Sequence, residues 1–85
     1  MLITVHGKVQ NVGFRYFTHK TANQLGVSGY VRNQVDGTVY IEAEGNEEIL
    51  EQFIYHVKQG PRWADVSKMD IQEAPVAGEK GFDIR

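Results

Sequence analysis

The sequence predicts an α+β fold: a mostly antiparallel sheet with two helices on one face, in the order β-α-β-β-α-β with a short strand at the end. Three observations predict it. Residues 2–9 and 37–44 alternate with the two-residue period of half-buried strands. Two later stretches, opening at Phe14 and Ile49, repeat their apolar residues at the three- and four-residue spacing of amphipathic helices. The order of these elements is that of two split β-α-β units, which place both helices on the same side of one sheet. With right-handed crossovers the predicted order of the four main strands is 4-1-3-2. Strands 1 and 3, which alternate most cleanly, are then central. The pattern leaves the place of the final short strand open.

Each element has its own local reason. In the first strand Ile3, Val5, Gly7 and Val9 share one face, and Leu2, Thr4, His6 and Lys8 the other. From Phe14 the period changes: Phe14, Phe17, Thr18, Thr21, Ala22 and Leu25 form a helical stripe of about three turns, and Gly26 stops it. Strands over 27–34 and 37–44 meet at Asp36-Gly37, a strong turn signal. In the second of them Val39, Ile41 and Ala43 face in, while Thr38, Tyr40, Glu42 and Glu44 face out. Asn46 is a good N-cap, followed by Glu47 and Glu48 where the helix dipole favours acids. Ile49, Leu50, Phe53 and Val57 are the stripe of that helix, Lys58 lies in its last turn, and Gly60-Pro61 ends it. The strand over 64–72 is less regular. Val66 is out of phase with Met69 and Ile71, which predicts a bulge near Ser67-Lys68. Residues 73–80 are a turn-rich connection, and Gly81–Arg85 the short closing strand.

Size and composition narrow the function. At 85 residues the chain is one domain, residues 1–85, with one thin core. It has no cysteine, which excludes disulfides, thiolate metal sites and thiol nucleophiles. The first residues lack the basic region and apolar run of a signal peptide, and no apolar stretch approaches the roughly 20 residues that span a bilayer. A cytoplasmic protein without membrane association is expected. Net charge is −2, unevenly spread. Residues 1–35 carry Lys8, Arg15, Lys20 and Arg32 with no acid, and residues 36–85 carry eleven acids against five bases. A basic cleft on an acidic body suits a small anion. It suits nucleic acid poorly, because the acidic remainder repels a polyphosphate backbone.

The most informative segment is Val9-Gln10-Asn11-Val12-Gly13-Phe14-Arg15. It reads as strand end, tight loop and an arginine in the first turn of a helix. A helix N-terminus presents unpaired N–H groups and roughly half a positive charge. Arginine adds a permanent cation with a planar fork of donors. Together they make a pocket for a phosphate-like anion. Gly13 fits a loop whose backbone must approach that anion closely. A polar residue held opposite the anion would position an attacking water, and Asn33 is the candidate.

These blocks resemble the acylphosphatase family. The resemblance is carried by Gly7–Arg15, by Leu25-Gly26-Val27-Ser28-Gly29-Tyr30-Val31-Arg32-Asn33, by Asp36-Gly37-Thr38-Val39, by Gly60-Pro61 and by the terminal Phe82-Asp83-Ile84-Arg85. It covers essentially the whole chain with consistent spacing. It implies the ferredoxin-like α/β sandwich and hydrolysis of small acyl phosphates to a carboxylate and inorganic phosphate, with neither metal nor cofactor. The family's phosphate-binding arginine falls on Arg15 and its water-orienting asparagine on Asn33. Its phosphate loop falls on residues 9–14, so that Gln10, Asn11, Val12, Gly13, Phe14 and Arg15 are the expected substrate-binding residues. One position departs from the family pattern: Asn11 stands where glycine is usual. Glycine there implies φ > 0, a conformation that asparagine tolerates at some cost.

The remaining features read as structural. His6, His19 and His56 show no metal-ligand spacing. Trp63 is expected to cover the edge of the core. The cluster of Glu42, Glu44, Glu47, Glu48 and Glu51 is a solvated face. RNA-binding modules share this topology but place basic and aromatic residues on the third strand. Here that strand is acidic with Tyr40 as its single aromatic. Metallochaperones of the same topology need Cys-x-x-Cys. The competing reading is a non-catalytic anion-binding or interaction module, and the stand-alone length with both Arg15 and Asn33 favours the enzyme. A monomer acting on a small-molecule acyl phosphate is expected.

Overall fold

A computed structural model describes residues 1–75 and 78–85. The elements are β1 (Leu2–Lys8), α1 (Phe14–Leu25), β2 (Ser28–Asn33), β3 (Val39–Glu44), α2 (Glu47–Gln59), β4 (Asp65–Gln72) and β5 (Phe82–Ile84). The connection expected over 73–80 lies partly outside the described residues. The sheet order is β4-β1-β3-β2-β5. The four main strands therefore have the predicted order, and all their pairings are antiparallel. β5 adds to the β2 edge in parallel, with Ile84 opposite Val31.

Register follows from burial. Ile3 and Val5 of β1 face Ile41 and Val39 of β3, and all four are fully buried beneath the helices. A slip of one residue would turn this whole set to water, so the pairing is strongly specified. Phe14, Ala22, Phe53 and Val57 supply the helical side of the core, and Phe82 of β5 closes it. Each fully buried Val, Ile or Phe side chain contributes about 1.5–3 kcal/mol.

Three expectations need correction. The register of β1 against β4 shifts between His6 and Gly7, from His6 opposite Lys68 to Gly7 opposite Val66. Ser67 is thus the extra residue of a bulge, where the phase change of Val66 placed it. The same shift leaves Gly7 exposed, not on the buried face. Thr38, expected to face outward, is buried, because its hydroxyl donates to Asp36 Oδ1 at 2.6 Å and its N–H to the same oxygen at 3.0 Å. Trp63, expected to cover the core edge, is 67% exposed. Ala64 N–H donates to Pro61 O at 3.0 Å, so Arg62 and Trp63 occupy the outward corner of a turn. There the Arg62 guanidinium lies 5.0 Å from the indole centroid.

The outer sheet face is a polar and aromatic network. Tyr30 and Tyr40 both donate to Glu42 Oε2, at 2.6 and 3.3 Å. Arg85 lies over the Tyr30 ring at 4.1 Å and Arg32 over the Tyr40 ring at 4.9 Å. The Glu42 carboxylate, which accepts the Tyr30 proton, is the main reason that the phenol's pKa is pushed up to about 12. This network ties β2, β3 and the chain beyond β5 together, behind the edge that carries Asn33.

Candidate active site

The two helix N-termini differ in a way that sets the site. In α2, Asn46 Oδ1 accepts from Ile49 N–H at 2.9 Å, and Glu47 and Glu48 complement the dipole. In α1 there is no side-chain cap and no acid in the first turn. Its cap position is Gly13 at φ 76, a left-handed backbone that glycine adopts without steric cost. The loop before it turns at Asn11, φ 61, the one non-glycine residue at positive φ among those described. The sequence departure at position 11 thus keeps the backbone that a glycine would allow. Phe14 anchors the helix start. It is 1% exposed and packs under the end of α2, where a Cβ added to Gly60 would lie 3.4 Å from its ring.

Beside this loop is an open pocket of about 230 Å³, lined by Asn11, Gly13, Arg15 and Asn33 with Val9, Phe14, Tyr16 and Ile84. Arg15 is brought by the first turn of α1, and Asn33 by the last residue of β2. They are eighteen positions apart, yet they share one cavity. The Asn33 Oδ1 atom is buried and has no hydrogen-bond partner among the described residues. Leaving such an acceptor unsatisfied costs about 1–3 kcal/mol. Among the described residues, no carboxylate or imidazole lines the pocket. His6 pairs with Asp70, His19 contacts Asn23, and the His56 ring meets Tyr55. Among the described residues no three of His, Cys, Asp and Glu converge as metal ligands.

The other expected binding residues divide. Asn11, Gly13 and Phe14 line the pocket, while Gln10 and Val12 do not. The Val12 side chain packs against the core. The Gln10 side chain turns to the β2–β3 hairpin, where its Nε2 donates to Gln34 O at 2.7 Å and to Thr38 O at 2.9 Å. Gln34 Nε2 in turn donates to Thr38 Oγ1 at 3.0 Å. Gln10 therefore binds the loop to the strand end that carries Asn33. Nothing in a single sequence marks the direction of that side chain. Tyr16 and Ile84, which form two walls of the pocket, escaped sequence reasoning. Tyr16 had a signal, its place next to Arg15 on a first helical turn. Ile84 had none, because the place of its strand was open.

A sheet layered with two helices, with an uncapped helix start and an arginine at one end, defines a small α+β domain built around a basic loop pocket. The acylphosphatase family model matches residues 1–84. The acylphosphatase of Thermus thermophilus is 48% identical over 84 residues, spanning 99% of this chain and 96% of that one. The crystal structure of acylphosphatase from Bacillus subtilis matches at 38% identity with a TM-score of 0.94, covering 100% of this chain and 99% of that chain. HypF from T. kodakarensis matches at 36% identity with a TM-score of 0.87, covering 100% of this chain but only 12% of its own. The chain belongs to the acylphosphatase family.

Proposed function

We propose that this protein hydrolyses small acyl phosphates, with the phosphate held by Arg15 and the amides of Asn11 and residues 13–15 and the water held by Asn33. The observation that carries this reading is the convergence of Arg15, the uncapped start of α1 and Asn33 on one open pocket. Arg15 and the N–H groups of the helix start meet the charge on the phosphoryl oxygens. A water held by the Asn33 carboxamide directs a lone pair at phosphorus.

The reaction balances without a protein acid or base. The water oxygen bonds to phosphorus, and the P–O bond to the acyl oxygen breaks. Its electron pair leaves on the carboxylate. The second water proton passes to a phosphoryl oxygen, giving dihydrogen phosphate. A carboxylate leaves readily, and a loose phosphoryl transition state asks mainly for positioning and charge stabilisation.

Metal independence is part of this proposal, since the charges the substrate meets are those of Arg15 and main-chain dipoles. The protein is further proposed to act as a cytoplasmic monomer that binds neither membrane nor nucleic acid. No helix among the described residues is long and apolar enough to cross a membrane. The outer-face aromatic rings are engaged by Glu42, Arg32 and Arg85. The test is phosphate release from acetyl phosphate with and without EDTA. Equal turnover in both supports the proposal, and binding of phosphate without turnover returns the domain to a non-catalytic anion module.

A further inference from the structure

We propose that Tyr16 and Ile84 form an acyl subsite, so that the enzyme prefers acyl phosphates with an unbranched apolar chain of a few carbons over acetyl phosphate. This inference rests on the hydrolytic reading above. The lining of the pocket divides by chemistry and depth. Asn11, Gly13, Arg15 and Asn33 supply its polar part. Val9 and Phe14 are each 1% exposed and belong to the core beneath it. Tyr16, 67% exposed, and Ile84, 43% exposed, are the apolar lining side chains with surface left to offer.

Exposed hydrophobic residues are ordinary on a small domain. What distinguishes these two is their convergence. Tyr16 follows Arg15 on α1, and Ile84 comes from β5, at the other end of the chain. β5 holds Ile84 opposite Val31, two residues before Asn33. One turn further along α1, the His19 ring meets the Phe82 ring with centroids 6.3 Å apart. His19 and Phe82 therefore close the seam between α1 and β5, and Tyr16 and Ile84 are the next side chains along it, at the pocket mouth. The exposed Val35, Tyr55, Trp63 and Ile71 do not line this pocket.

A phosphate held at the start of α1 leaves its bridging oxygen toward the mouth, so the first carbons of the acyl group rest on this rim. The apolar run is short. Tyr16 also borders a shallow depression lined by His19, Lys20, Asn23 and Gln24. A longer chain reaches polar side chains there and gains little more.

The test compares kcat/KM for acetyl, butyryl and hexanoyl phosphate. For a rim that covers one side of the chain, the expected rise from acetyl to butyryl is about two- to threefold per methylene, with a plateau by hexanoyl. In the Tyr16→Ser, Ile84→Ser double variant the butyryl-to-acetyl ratio is expected to fall close to one, with inorganic phosphate still inhibiting. Tyr55→Ser, an exposed tyrosine of α2, is expected to keep the wild-type ratio. A flat series in the wild type overturns the inference, as does an unchanged ratio in the double variant. A second arm needs no turnover: butylphosphonate is expected to bind the wild type several-fold more tightly than methylphosphonate, and equal binding overturns the subsite. Tighter butylphosphonate binding by a protein that hydrolyses none of the three substrates would keep the apolar rim and reject the catalytic reading.

Discussion

Replacing Gln10 tests how the site is held together. Its side-chain amide donates two hydrogen bonds, at 2.7 and 2.9 Å, to the carbonyls of Gln34 and Thr38. Each carbonyl has a second donor: Gly37 N–H at 3.1 Å reaches Gln34 O, and Gln34 N–H at 2.9 Å reaches Thr38 O. Gln10→Ala therefore orphans neither carbonyl, and the loss is that of two net hydrogen bonds, about 1–3 kcal/mol in all. For a domain of this size that lowers Tm by about 4–8 °C per kcal/mol. The same bonds hold the loop around Asn11 against the strand end at Asn33, so kcat on acetyl phosphate is expected to fall about tenfold or more as the reacting groups lose alignment. Gln10→Glu sharpens the test. Above its ionisation the carboxylate faces two carbonyl oxygens with no proton to donate, so at neutral pH this variant should be less stable than Gln10→Ala. The folded protein raises the pKa of that glutamate above its unfolded value. Whatever stability its protonated form contributes is therefore complete below about pH 4 and is lost as pH rises through the folded value. Urea unfolding of the three proteins at pH 4 and pH 7, with steady-state kinetics at pH 7, measures all of this. A Gln10→Ala protein with wild-type stability and kcat would refute the assigned brace.

Other perturbations follow from single observations. Asn11 already has φ 61, so Asn11→Gly should change stability by less than about 0.5 kcal/mol, with lost strain offset by added chain entropy. It should keep or improve turnover, and an inactive variant would mean that the loop backbone has been misread. Thr18 is fully buried with its hydroxyl unpartnered among the described residues. Thr18→Val should raise stability by about 1 kcal/mol in urea unfolding, and a loss of stability would reveal an unseen partner for that oxygen. Tyrosine absorbance titration should show the Tyr30 phenol ionising near pH 12. Glu42→Gln should bring it back toward 10, because the carboxylate that accepts its proton is the leading cause. Since the folded-state pKa is raised, this phenol supports the fold below its unfolded value near 10 and ceases to do so as pH rises through about 12.

What the sequence revealed was local. β1, β3 and both helices were legible because alternation, helical spacing and the Asn46 cap are properties of neighbouring residues. The bulge at Ser67 was legible because one apolar residue fell out of phase with two others. Asn11 at positive φ was foreseen from the few residue types that tolerate it. What remained hidden needed three dimensions. β5 has three residues, of which only Phe82 is buried, too short a run to declare a partner, and so Ile84 went unplaced. Gln10 sits in the loop where a ligand contact is expected, yet its side chain points to the hairpin. Trp63 belongs by composition to a core, but the turn from Pro61 to Ala64 lifts it outward. Arg15 and Asn33 were named from a helix start and a strand end, and their convergence follows from α1 packing against the sheet beside β2.

The central claim is that Arg15 grips the phosphate while Asn33 aligns the water. It is tested most directly by measuring kcat on acetyl phosphate and the inhibition constant of inorganic phosphate in Arg15→Ala and Asn33→Ala. The account predicts that Asn33→Ala loses a factor on the order of 10²–10³ in kcat with phosphate inhibition retained, and that Arg15→Ala loses both. An Asn33→Ala enzyme with near-normal turnover, or an Arg15→Ala enzyme that phosphate still inhibits as in the wild type, would contradict it.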